Sequence, residues 1–123
     1  MSTPVGPYTP LVRAGGWLVA SGQLGLAGGA LVEGGVPAQL GQAIVNLAGL
    51  LDGAGAALGD VVKTTVFLTD MADYADMNGA YTAAFGEHRP ARSAVAVAGL
   101  PLGAVVEIEA WAWVGEAGAT GAD

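Results

Sequence analysis

The stretch Ala104-Val105-Val106-Glu107-Ile108-Glu109-Ala110-Trp111-Ala112-Trp113-Val114 alternates without a break, and its two faces differ. Successive side chains of a strand point to opposite sides of the sheet. Val106, Ile108, Ala110, Ala112 and Val114 form one side, a surface to be packed under helices. Val105, Glu107, Glu109, Trp111 and Trp113 form the other. That second side mixes two carboxylates with two tryptophans, which suits neither open water nor a dry core. A subunit interface containing a polar cleft accommodates both.

Upstream, Leu100-Pro101-Leu102-Gly103 reads as a turn, and Ser93 to Ala98 as a strand of small residues. Before them stands Arg89-Pro90-Ala91-Arg92-Ser93, with two of the four basic residues of the chain. The planar fork of an arginine holds a carboxylate bidentately, which a lysine cannot do. Pro90 fixes its own backbone and pushes Arg89 towards an extended conformation, giving a stiff approach to Arg92. Spacing alone fits an ordinary surface arginine at a loop-to-strand junction equally well. His88 is the single histidine. With no partner in sequence it reads as a basic group at a helix C-terminus rather than a general base.

Further out, Val61 to Leu68 is β-branched and aromatic, a strand. Tyr74, Met77, Tyr81 and Phe85 make one helical stripe, read as core rather than a cofactor box. Asp70, Asp73 and Asp76 near its start read as caps and solvated face. From Pro37, tolerable in a first turn, Leu40, Ile44, Leu47 and Leu51 recur at helical spacing. Gln39, Gln42 and Asn46 fall mostly elsewhere on that wheel. This amphipathic helix ends near Gly53-Ala54-Gly55, where glycine suits a C-terminal cap. Trp17 to Ser21 is a short buried strand, entered through Gly15-Gly16 and stopped at Gly22. Gly22, Gly25, Gly28 and Gly29 lack the spacing of a dinucleotide loop, and no Gly-Lys-Ser/Thr follows. They read as a hairpin connection, with Leu31-Val32-Glu33 as its return strand. Gly6-Pro7-Tyr8-Thr9-Pro10 is rigid, turn-forming and non-helical. Two helices cover only one face of the resulting sheet, so the other face requires a partner.

A chain of 123 residues forms one domain, large enough for a sizeable core. Its composition is 53% hydrophobic and only 12% charged, so part of its surface is expected to be hidden in an oligomer. The net charge of −7, with Arg13, Lys63, Arg89 and Arg92 as the basic residues, argues against nucleic-acid binding. One arginine still suffices for a small anion. The absence of cysteine excludes disulfides, a thiolate nucleophile and Cys-ligated metal. No signal peptide is evident at Met1-Ser2-Thr3-Pro4, and no apolar run approaches the roughly 18 residues of a membrane helix. A soluble cytoplasmic protein that binds no membrane is expected.

Gly6-Pro7-Tyr8, Ser21-Gly22-Gln23, Val61-Val62-Lys63-Thr64-Thr65-Val66, Asn78-x-x-Tyr81, Pro90-Ala91-Arg92-Ser93, Leu100-Pro101 and Val106-Glu107-Ile108-Glu109-Ala110 together resemble the Rid (YjgF) family. The resemblance runs from about Gly6 to Val114. It implies an α+β, chorismate-mutase-like fold: a mixed sheet with two helices packed on one face, the terminal strand inside the sheet, and a homotrimer with clefts between subunits. Residues 1–114 would be the single domain, and 115–123, small and patternless, a disordered tail. Members with the arginine hydrolyse reactive enamine and imine acids, such as 2-aminoacrylate, to 2-oxo acids and ammonia, with no cofactor and no metal. By resemblance, Arg92 holds the substrate carboxylate and Glu107 orients or activates the attacking water. Tyr8, Ser21, Gly22, Asn78 and Ala94 line the site. Many members carry cysteine at the position of Ala94; a carboxylate anchor and a positioned water suffice for imine hydrolysis without it. Glu109 is assigned structurally. Two alternatives stand beside the deaminase: the same fold acting on another small carboxylate-bearing substrate, and a non-enzymatic ligand-binding or chaperone-like trimer.

Overall fold

A computed structural model describes residues 4–115. The order is β1 (Leu11–Ala14), β2 (Trp17–Gln23), β3 (Leu26–Ala27), β4 (Ala30–Leu31), α1 (Gly35–Gly53), β5 (Val61–Leu68), α2 (Tyr74–Phe85), β6 (Ala91–Ala96) and β7 (Val106–Trp113). Short 3-10 turns at Leu58–Asp60, Met71–Asp73 and Pro101–Gly103 precede β5, α2 and β7. The five-stranded sheet runs β1-β2-β7-β5-β6, and β3 and β4 pair apart from it. β7 lies inside the sheet, antiparallel to both β2 and β5, while β5 and β6 are parallel.

The alternation of β7 explains its place. Val106, Ile108, Ala110 and Ala112 are at most 1% exposed, beneath the helices. Full burial of a valine or isoleucine side chain contributes about 1.5–3 kcal/mol each. α1 lies on β2 and β7, with α2 packed beside it. The stripe Leu40, Ile44, Leu47 and Leu51 is at most 1% exposed, and truncating one of these to alanine would cost about 2–5 kcal/mol. Among the described residues the other face carries no helix, as expected.

The polar residues of α1 do more than face water. The Gln39 side-chain oxygen accepts the Val105 N–H at 3.1 Å, pinning the approach to β7. Asn46 donates from one nitrogen to the carbonyls of Leu24 and Leu26 at 3.1 and 2.9 Å, and receives a 2.9 Å bond from Gln42. These bonds hold the segment after β2 against the helix.

Several boundaries differ from the sequence reading. β1 was not anticipated: it is four residues long, follows two prolines and lacks alternation, because its edge position buries little. The return strand is Ala30–Leu31 rather than Leu31-Val32-Glu33. β2 continues through Gly22 to Gln23 by an irregularity between Ala20 and Gln23. β6 begins at Ala91, so Arg92 lies within a strand and not ahead of it. The expected tail, apart from Gly115, lies outside the described residues. No helix among the described residues is long and apolar enough to cross a membrane.

Candidate active site

Glu107 stands on the helix-free face of β7, opposite Phe67 of β5. Its carboxyl rests against Gly22 so closely that a Cβ there would lie 2.6 Å from Glu107 Cδ. Any side chain at position 22 would push the Glu107 carboxyl out of this seat. The seat is made by the irregularity of β2. Ser21 N–H donates to the Pro10 carbonyl at 2.8 Å, and Ser21 Oγ donates to the Thr9 carbonyl at 2.6 Å. Gln23 donates to the Ser21 carbonyl at 2.9 Å. The Ser21 hydroxyl thus braces the incoming chain, and only its lone pairs remain for a ligand. Tyr8, exposed, accepts the Val5 N–H at 3.3 Å. Tyr8, Pro10, Gly22, Gln23 and Leu24 line a small hollow of about 30 Å³, room for one water.

Burial raises the proton affinity of Glu107 above that of an ordinary glutamate, and the charge of Glu109 raises it further. Glu109 stands two residues on, on the same face, opposite Thr65. It therefore has an electrostatic effect on Glu107 that the structural assignment did not foresee.

Arg92 occupies a different place. It pairs with Thr64 in the β5–β6 register, and Thr64 is fully buried beneath α2. Arg92 consequently points to the helix side at the edge of the sheet. Its Nη2 donates to the Tyr74 hydroxyl at 3.0 Å, and its Nη1 contacts Met77 Sδ at 3.6 Å. The guanidinium carbon lies 4.9 Å from the centroid of the Tyr81 ring and 5.6 Å from that of Tyr74. Tyr81 is itself tied to Thr64 by a 2.8 Å hydroxyl–hydroxyl bond, and its burial raises its proton affinity. None of these partners is anionic, and a guanidinium carries five N–H groups. Donors remain for a carboxylate.

Asn78, on α2, belongs to the same half; its side-chain oxygen is buried with no hydrogen-bond partner among the described residues. Ala94 lies two residues beyond Arg92, partly buried against the core. The remaining basic residues nearby are structural. His88 Nε2 bonds the Val61 carbonyl at 2.7 Å, and Arg89 donates to the carbonyls of Gly86 and His88 after the end of α2. Lys63 donates to Thr64 O, Thr65 Oγ1 and Ser93 Oγ.

The expected residues therefore form two groups within one chain: Tyr8, Ser21, Gly22 and Glu107 in one, Arg92, Asn78 and Ala94 in the other. β5 separates β6 from β7. Arg92 aligns with Thr64 and Glu107 with Phe67, three residues further along and on the opposite face. At strand spacings of about 4.8 Å and rises of about 3.3 Å per residue, their Cα atoms are roughly 14 Å apart. A single chain does not bring the two side chains together. Sequence reading also missed the surroundings of Arg92. It placed Tyr74 with Met77, Tyr81 and Phe85 in the core, yet Tyr74 is 42% exposed. The available signal was its position in the first turn of α2, at the rim of the packed stripe.

Comparison with known proteins agrees with this architecture. The family model described as Endoribonuclease L-PSP matches residues 1–114. A RutC family protein of Pyrococcus horikoshii is 43% identical over 112 residues, 89% of this chain and 89% of that protein. The mouse protein named 2-iminobutanoate/2-iminopropanoate deaminase is 45% identical over 108 residues, 86% of this chain and 80% of its own. The crystal structure of RidA from the Antarctic bacterium Psychrobacter sp. matches with a TM-score of 0.87 at 42% identity, covering 91% of this chain and 92% of that one. With its residues 1–114 matched by the family model and its fold matched by such neighbours, this chain belongs to the Rid (YjgF) family.

Proposed function

We propose that the protein hydrolyses reactive enamine and imine acids, such as 2-aminoacrylate and 2-iminobutanoate, to 2-oxo acids and ammonia. The work is done in sites shared between subunits of a homotrimer. The observation that carries the reading is Glu107, a half-buried carboxyl on a glycine seat with raised proton affinity. Such a group binds a proton more firmly than an ordinary glutamate and is correspondingly a better base. The relatives named as imine deaminases supply the substrate class. Because Arg92 and Glu107 lie on opposite faces of one sheet, the Arg92 group of one subunit meets the Glu107 group of the next. Head-to-tail interfaces of this kind close into a ring, and the resemblance to the Rid family makes that ring a trimer.

In this mechanism Arg92 holds the carboxylate by two N–H donors, fixing C2 of the imine. Glu107 takes a proton from the attacking water as its oxygen bonds to C2 of the protonated imine (C=NH2+) and the C=N π electrons move to nitrogen, leaving an NH2 group on C2. The tetrahedral carbinolamine then collapses. Glu107 returns the proton to nitrogen, the C–N bond breaks, ammonia leaves, and the hydroxyl proton passes to solvent as the 2-oxo acid forms. An enamine enters by protonation at its β carbon, which gives the same protonated imine. Imines already hydrolyse in water, so orientation and one positioned carboxylate suffice. The net charge of −7 speaks against RNA as a substrate.

The test is the release of 2-oxobutanoate from 2-iminobutanoate generated in place by a threonine dehydratase. Acceleration over the uncatalysed rate, lost in Glu107→Gln, is expected. No acceleration by the wild-type protein would refute the assignment.

A further inference from the structure

We infer that Tyr74 is a positioning residue: through its hydroxyl it holds the Arg92 fork ready for the substrate carboxylate. The inference rests on the carboxylate-anchor reading of Arg92 and goes beyond it to a residue of α2 that the reading does not name. Arginine is a long side chain with many rotamers. An anchor that must be frozen at each binding event loses affinity to that freezing. Here the freezing is done in advance, from three sides. The Tyr81 ring lies 4.9 Å below the guanidinium carbon, Met77 Sδ touches Nη1 at 3.6 Å, and Tyr74 Oη accepts from Nη2 at 3.0 Å.

The three contacts are unequal. Tyr81 and Met77 are buried core residues that would be present whatever Arg92 did, and the Tyr81 hydroxyl is taken up by Thr64. Tyr74 is 42% exposed, at the rim, where its ring adds little to the core. Its hydroxyl makes the one full hydrogen bond to the guanidinium among the described residues, at 3.0 Å. The bond also sets which edge of the fork is free: one Nη2 hydrogen faces Tyr74, so a ligand takes the remaining donors. Met71–Asp73 keeps Tyr74 in place at the start of α2, because Asp70 caps that turn by accepting the Ala72 N–H at 2.9 Å.

Tyr74→Phe tests this with the ring retained and the hydroxyl alone removed; the exposure of the site keeps folding out of the result. The variant should raise KM for 2-iminobutanoate and the inhibition constant of 2-oxobutanoate by about tenfold, the low end for a hydrogen bond to a charged group. Its kcat should change by less than about threefold, because Glu107 on the other half places the water. In an Arg92→Lys background the same Tyr74→Phe change should add no further loss, since the ammonium has no fork to hold. Unchanged KM and inhibition constant in Tyr74→Phe would overturn the inference. So would an equal loss in the Arg92→Lys background, which would make Tyr74 a direct ligand contact instead. Arg92→Lys alone, if it left both constants unchanged, would remove the anchor reading itself; that outcome is read from a separate protein.

Discussion

Gly22→Ala offers the most direct test of where Glu107 acts, because the structure sets the size of the perturbation. The new Cβ falls 2.6 Å from Glu107 Cδ and 2.8 and 2.9 Å from the carboxylate oxygens. Non-bonded carbons settle at about 3.5–4.0 Å, so the carboxyl must retreat by about 1 Å. Glu107 is only partly buried, and a modest torsional shift accommodates the move for about 0.5–1.5 kcal/mol. A water held by that carboxyl moves with it. Misplacing reacting groups by about 1 Å costs about a hundredfold in rate, equivalent to ~2.7 kcal/mol of activation free energy. The expected protein is folded, with Tm lowered by no more than about 10 °C, yet hydrolyses 2-iminobutanoate about a hundredfold more slowly. Binding of 2-oxobutanoate should be far less affected, since Arg92 lies elsewhere. The assay follows 2-oxobutanoate release beside a thermal melt. A folded variant working within about threefold of wild type would show that the Glu107 position does not govern the chemistry.

Arg92→Lys keeps the charge and loses the bidentate fork, so kcat/KM should fall about ten- to hundredfold with folding and assembly mass unaltered; wild-type kinetics would refute the clamp. Mixing Arg92→Ala subunits with Glu107→Gln subunits, each inactive alone, should restore roughly a quarter of wild-type activity after dissociation and reassembly as trimers. No recovery in a mixture whose mass confirms mixed trimers would count against sites shared between subunits. Glu107→Gln should also stabilise the fold at neutral pH. The folded protein holds the Glu107 proton more tightly than the unfolded chain, so this group makes stability fall as pH rises through that window. Glutamine removes the penalty, and the gain in Tm should vanish below the ordinary glutamate pKa of about 4.3; a gain that persists there would refute the electrostatic account. Finally, Glu109→Gln should move the acid limb of the kcat/KM profile to lower pH, because it removes a like charge beside Glu107; an unmoved limb would remove Glu109 from the site.

The two faces of β7, the core stripe of α1 and the strand Val61–Leu68 were legible because burial imposes a period, and a period survives in one dimension. Arg92 and Glu107 were legible as residue types suited to an anion and a water, given the resemblance to the Rid family. Their separation was not. It depends on β5 lying between β6 and β7, and on which residue of β5 faces each of them. A register shift of one residue in either ladder would reverse the face, and nothing in local composition sets that register. Tyr74 was misread for a related reason. Helical spacing places it in line with Met77 and Tyr81, but only the arrangement of α2 over the sheet edge decides that the stripe runs out of core one turn early. The chain by itself thus determined its two layers and its uncovered sheet face, since each follows from side-chain type and period. Tertiary structure alone decided that Arg92 and Glu107 stand on opposite sides of one sheet, because strand order and register are properties of non-local pairing.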